Sequence, residues 1–162
     1  RCADVTGVQT CALPIWPDIG VTLSARADRI DQTEDGDILI YDYKTGKPPT
    51  AKQQATFDKQ LLIETAMIED GAFSNLGANP VAAAIFIGLG SHPAEIPAPL
   101  EAEPPGETLA RLRALIEAYL RPDQGFTARR MMLQDKIEGE YDQLARFGEW
   151  DATDDPVPED LA

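Results

Sequence analysis

The stretch IYDYKTG, residues 40–46, ends an apolar run with an aspartate, an aromatic residue and a lysine, then turns at a glycine. Strand side chains alternate between faces, so Asp42 and Lys44, two residues apart, share one face. Working outward, DILIYDYK (37–44) reads as one strand and GVTLSARADRID (20–31) as another. Val21, Leu23, Ala25 and Ala27 alternate there against polar neighbours. QTEDGD between them is a turn signal. A loop of Glu34, Asp35 and Gly36, with Gly36 in the left-handed region, makes a hairpin and pairs Thr33 with Asp37. That register sets Ile30 opposite Ile40, Asp28 opposite Asp42 and Arg26 opposite Lys44. Facing residues on one side of such a ladder have Cβ atoms roughly 5 Å apart. The other side, with Leu23, Ala25, Ala27, Leu39, Tyr41 and Tyr43, is the expected core face.

Two carboxylates facing each other across a ladder repel unless something positive lies between them. A divalent cation with oxygen ligands would serve, and Lys44 follows one pleat further along. An isolated D-x-K is a weak signal, and acidic residues at a strand end are commonly just solvated. The second aspartate in a consistent register, followed by the turn and a helix, is what points to a metal site.

The composition narrows the options. A chain of 162 residues with 43% apolar side chains can bury one ordinary core. The net charge of −14 argues against a module that grips nucleic acid by bulk electrostatics. It does not exclude a nuclease, in which acidic ligands add to that balance and a larger partner holds the DNA. No apolar run is long enough to span a bilayer, and no charged-then-apolar leader opens the chain. A cytoplasmic protein without membrane contact is expected.

VTGVQTCALPI, residues 5–15, has neither a clear period nor capping logic, and it matches the translation of a common short-read sequencing adapter. Residues 1–15 are therefore expected to be non-native and are set outside the fold. Both cysteines, Cys2 and Cys11, lie in this segment, so neither a disulfide nor a thiolate site is expected. The expected organisation is a nuclease domain over residues 16–150, truncated before its first core helix, and an acidic tail over 151–162. Within it, Thr50 is a plausible N-cap for a helix running to about Asp70 and stopped by Gly71. VAAAIFIGL (81–89) suits a buried strand. Pro104 and Pro105 introduce a helix to about Leu120, with Leu109, Leu112, Leu115, Ile116 and Tyr119 on its inner face, and Pro122 ends it. A short helix around EYDQLARFGEW is expected further on.

Taken together, ARADRID, ILIYDYKTGKPP and KQLLIETAM resemble the RecB-like nuclease module of the PD-(D/E)XK superfamily. More narrowly, with the downstream GEYDQLARFGEW, they resemble the C-terminal nuclease domain of AddB, one of the two proteins of AddAB-type helicase–nucleases in double-strand break repair. The resemblance implies an α/β restriction-endonuclease-like core: a central mixed sheet, a β-hairpin carrying the active site, and flanking helices. It implies a metal-dependent DNA exonuclease that hydrolyses phosphodiester bonds beside an AddA-like helicase–nuclease partner. Asp28, Asp42 and the backbone carbonyl of Tyr43 would then hold Mg²⁺, with Mn²⁺ a possible substitute. Lys44 would orient or deprotonate the attacking water and counter charge on the phosphate. Gln60 matches the motif glutamine, and Glu64 stands one helical turn later, where many relatives have tyrosine.

Some positions depart from the family pattern. The histidine that such nucleases carry on a helix before the first strand has no counterpart, and without native cysteines no iron–sulfur cluster is expected. His92, the single histidine, sits in GSHPAEIP and reads as a solvated loop residue. Arg129 and Arg130, with Lys136, form a small basic cluster that either contacts a phosphate backbone or is ordinary surface. An alternative reading is a catalytically inactive nuclease-fold module that docks onto a helicase partner. The joint presence of Asp28, Asp42 and Lys44 favours the enzyme.

Overall fold

In the computed structural model, described for residues 2–6, 9–74, 76–125, 141–144, 146 and 148–151, a mixed sheet is built around one buried strand. The strands are β1 (Cys2–Thr6), β2 (Gln9–Trp16), β3 (Val21–Ala27), β4 (Arg29–Thr33), β5 (Ile38–Lys44), β6 (Val81–Gly88) and β7 (Ala94–Pro97). The helices are α1 (Ala51–Thr56), α2 (Gln60–Glu69) and α3 (Pro105–Tyr119). Five strands form one sheet in the order β1-β4-β5-β6-β7, and β2 and β3 form a separate antiparallel pair. Among the described residues only the β5–β6 pairing is parallel, with α1 and α2 in the crossover between them. This α/β arrangement is the expected restriction-endonuclease-like architecture.

The hairpin register is as expected over its paired length: Arg29 faces Tyr41, Ile30 faces Ile40 and Asp31 faces Leu39. The Thr33 amide donates to the Asp37 carbonyl at 2.9 Å, and Gly36 has φ of 94°. That φ suits glycine, which has no Cβ to clash there. The upstream strand, however, is not continuous as expected. It breaks at Asp28, so β3 leaves the sheet and Arg26 pairs with Thr10 of β2, not with Lys44. Asp28 accordingly lies just past the end of the β4–β5 ladder and is not paired with Asp42 within it.

The core face is as expected for β3, where Ala27 is buried and Leu23 and Ala25 pack against the core, but is the reverse of the one expected for β5. Ile38, Ile40 and Asp42 are buried, whereas Leu39 and Tyr41 are half-buried and Tyr43 is 36% exposed. Leu61, Leu62, Met67 and Ile68 of α2 join Ile30, Ile38, Ile40, Ala84 and Phe86 in one apolar cluster. Ile38 and Ile40 of β5, with Ile30 of β4, are the side chains covered, while Tyr41 and Tyr43, whose hydroxyls need partners, stay on the other face. Asp42 is carried into that covered face by the strand alternation alone.

β1 and β2 lie almost wholly in residues 1–15, the segment expected to be non-native, and their backbones pair with β4 and β3. The helix expected from Thr50 to Asp70 is two helices. Thr50 does cap α1, with its side chain and that of Gln53 making a reciprocal capping box. Phe57 then leaves helical geometry at φ −120°, and α2 begins at Gln60. β7, absent from the sequence reading, extends the sheet beside β6.

The chain divides into two units, Arg1–Ala114 and Leu115–Ala162. α3 spans the boundary, and of its expected inner face only Leu109 is fully buried, while Leu115 is 43% exposed. In the second unit, the described part of EYDQLARFGEW makes hydrogen-bonded turns in place of the expected helix. Arg129, Arg130 and Lys136, and the tail from residue 152 on, lie outside the described residues. Among the described residues no helix is long and apolar enough to cross a membrane.

Candidate active site

Asp42 and Lys44 leave β5 on the face covered by α2, at the end of the strand from which the TGKPP turn departs. That turn is held close. Gly88 pairs with Lys44 across the parallel ladder, and a Cβ at Gly88 would stand 2.7 Å from Pro48 Cδ. The Leu89 amide donates to the Lys44 carbonyl at 2.8 Å. The buried Gln54 side chain reaches from α1 to the carbonyls of Pro49, at 3.3 Å, and Pro97, at 3.4 Å. The break at 57–59 then starts α2 so that Gln60 and Glu64, one turn apart, project from one helix face onto the strand end.

Four of the residues expected to act together make one connected polar network. Asp42 is 5% exposed; its Oδ1 accepts from Gln60 Nε2 at 2.9 Å. The same Nε2 donates to Glu64 Oε1 at 3.1 Å, so one amide bridges two carboxylates. Lys44 Nζ lies 2.7 Å from Asp42 Oδ2 and donates to Gln60 Oε1 at 3.2 Å. It also stands 5.4 Å from the centroid of the Phe86 ring, on the floor of the site. The Asp42 Oδ2 contact with Lys44 is an ion pair outside hydrogen-bonding geometry, so this buried oxygen receives no hydrogen bond. Asp28, exposed at the break between β3 and β4, accepts the Tyr43 amide proton on Oδ2 at 2.9 Å. The Asp28 carboxylate thus ends the hairpin ladder and is brought against β5 one residue from Asp42.

Glu64 is 4% exposed. Burial raises its carboxyl to about 7, and the charges of Asp42 and Asp28 push the same way. The Gln60 hydrogen bond and the Lys44 charge oppose the rise. Glu64 therefore feels both aspartates as well as Lys44.

A family model of the PD-(D/E)XK nuclease superfamily matches residues 3–148, and the matched span includes every residue of this network. The chain belongs to the PD-(D/E)XK nuclease superfamily. No curated protein matches the chain. PD-(D/E)XK nucleases are typically phosphodiesterases and generally use divalent metal ions. Among the described residues no three His, Cys, Asp or Glu side chains form a ready cation cluster. The donor chemistry nevertheless fits a hard cation. Asp28, Asp42 and Glu64 offer only oxygen, Asp42 has a buried oxygen lacking a hydrogen bond, and Glu64 is held from ionising by burial and the negative charge around it.

His92 is exposed in its loop, beside Ser91 Oγ at 3.1 Å, as expected for a solvated residue. One residue pair went unremarked in the sequence. Arg29 grips Asp31 with two hydrogen bonds, Nε to Oδ1 at 2.8 Å and Nη2 to Oδ2 at 2.6 Å, and Asp31 is fully buried. The available signal was the D-R-I-D spacing, which sets Arg29 and Asp31 on one strand face next to Asp28.

Proposed function

We propose that the chain is a Mg²⁺-dependent deoxyribonuclease domain, spanning residues 16–150, that hydrolyses phosphodiester bonds. The observation that carries this reading is the convergence of Asp28, Asp42, Lys44, Gln60 and Glu64 at one end of β5. Asp28, Asp42 and the Tyr43 carbonyl would hold the cation, which supplies charge neutralisation at the phosphate and a more acidic water. Lys44 is placed to orient the attacking water and to counter negative charge developing on the phosphoryl oxygens. Gln60 keeps the Lys44 ammonium and the Asp42 carboxylate in fixed relation through its two ends. Glu64, held near 7, can take up or release a proton beside them.

The finer context rests on the resemblance of residues 20–150 to AddB chains. In that context the domain acts as an exonuclease in a helicase–nuclease complex with an AddA-like partner, in the cytoplasm, during double-strand break repair. The experiment is direct: the full chain is incubated with end-labelled DNA and Mg²⁺ or Mn²⁺, beside Asp42→Ala and Lys44→Ala. Cation-dependent cleavage that both substitutions abolish, with folding retained, is expected. Near-normal cleavage by Lys44→Ala would overturn the assigned chemistry.

A further inference from the structure

We infer that Lys59, through its ion pair with Glu103, is a positioning residue that sets where α2 starts and so aims Gln60 at the active centre; the inference rests on the nuclease reading above. A helix continued from α1 would give the Ala55 carbonyl to the Lys59 amide, four residues on. Helical geometry ends at Phe57 instead, and the amides of Phe57 and Asp58 both donate to the Gln53 carbonyl, at 2.7 and 2.9 Å. The Lys59 ammonium takes the Ala55 carbonyl, at 2.8 Å. From the far side of the break the side chain thus satisfies one of the carbonyls that a helix end leaves over. The Lys59 carbonyl meanwhile accepts from the Ile63 amide at 3.0 Å, so the same residue opens α2.

The ammonium is fixed from a second direction. Glu103 Oε2 lies 2.5 Å from Lys59 Nζ, and the two side chains are only 19% and 23% exposed. Arg111 of α3 stands 3.5 Å from the same oxygen. The Glu103 amide donates to the Pro99 carbonyl at 2.8 Å, so a turn holds the carboxylate in place. Local preference gives no reason for a lysine here. Lys59 is the N-cap of α2 and its side chain makes no capping hydrogen bond, while a cation is unfavourable at a helix N-terminus. Its charge serves the break. The next residue is Gln60, whose amide group reaches Asp42, Glu64 and Lys44 over 2.9–3.2 Å. Hydrogen bonds weaken steeply when misaligned, so a shift in the first turn of α2 loosens all three together. A misplacement of about 1 Å at a reacting centre can cost about a hundredfold in rate.

A double-mutant cycle in cation-dependent cleavage of end-labelled DNA by the full chain tests this. Lys59→Met keeps a long side chain and removes its donors. It should lower kcat about tenfold and leave KM within about twofold of wild type, as for a group that orients others. In a Gln60→Ala background the same substitution should change kcat by less than about twofold, because the group it positions is gone. Glu103→Gln is the second variant, and it carries the test if Lys59→Met does not fold. It leaves the bond to Ala55 in place, should act in the same direction, and should be equally silent in the Gln60→Ala background. Unchanged kcat in the wild-type background would overturn the inference. Equal losses in both backgrounds would make the pair a general structural tie, and a raised KM at unchanged kcat would make Lys59 a direct DNA contact. Each of these outcomes overturns the positioning role and leaves the nuclease reading standing. Failure of wild type to cleave DNA with Mg²⁺ or Mn²⁺ would overturn both.

Discussion

Gln60 Nε2 lies 2.9 Å from Asp42 Oδ1, and that hydrogen bond ties the first turn of α2 to the end of β5. The other end of the amide accepts from Lys44, so the orientation of Gln60 is determined by both partners. Reversal of the amide would set an oxygen against Asp42 and Glu64 and a nitrogen against an ammonium. Glutamine is the one residue of its size that satisfies all three.

Gln60→Glu keeps the shape and removes the donors. Cleavage is expected to fall about tenfold to a hundredfold, the range seen when groups that orient ligands are removed. The metal-free variant should also melt earlier than wild type above neutral pH, since a further carboxylate joins Asp42 and Glu64. Unchanged turnover in a steady-state cleavage assay would show that the bridging amide has no role in orienting the site.

Divalent ions should stabilise the fold through Asp28 and Asp42. Binding to the folded state alone contributes about 2.7 kcal/mol at a hundredfold excess over Kd. Mg²⁺ or Mn²⁺ is expected to raise the melting temperature of the chain, and Asp28→Asn to shrink that rise sharply. Isothermal titration with Mn²⁺ checks the same point; equal affinity in wild type and Asp28→Asn would place the ligands elsewhere.

Glu64 should make the metal-free protein less stable as pH rises. Its carboxyl titrates near 7 when folded and at the ordinary 4.5 when unfolded, burial being the main cause. Between those values the folded chain holds the proton that the unfolded chain has lost. The stability is therefore fully present below 4.5 and is lost as pH rises through about 7. The shift corresponds to a difference on the order of 3 kcal/mol. Glu64→Gln should flatten the dependence, so melting in EDTA at about pH 5 and about pH 8 should differ less in the variant. Parallel curves for the two proteins would mean that Glu64 ionises normally.

Gly88→Ala should disturb the site from behind. The new methyl would stand 2.7 Å from Pro48 Cδ and 2.8 Å from Cγ, and a proline ring cannot swing aside as a flexible side chain can. Overpacking of this kind costs about 1–3 kcal/mol. Because Gly88 pairs with Lys44, the displacement falls on the turn that ends β5, and cleavage should decline along with the melting temperature. Wild-type values for both would show that the turn yields freely.

Much of this was legible in the chain because it is local. A turn with glycine at its left-handed position sets the register that follows, so Ile30 against Ile40 could be read from Thr33, Gly36 and Asp37. The Thr50 capping box is equally local, as is the i, i+4 relation of Gln60 and Glu64. The expectation that Asp28, Asp42, Lys44, Gln60 and Glu64 lie close together came from their resemblance to a nuclease motif and from strand and helix periods, and contacts at the end of β5 do link them.

Tertiary structure decided what periods leave open. Alternation assigned Asp42 and Tyr43 to opposite faces but could not say which face α2 would cover, because that depends on the apolar area available from another element. Nor could it break the strand at Asp28, where the carboxylate gives up ladder pairing with β5 and takes the Tyr43 amide. The interruption of the helix at 57–59, which aims Gln60 at Asp42, is likewise a matter of packing. The residue types and their spacing are a property of the sequence. Their contact, and the burial that raises Glu64, come from bringing β5 and α2 together in a place water has left.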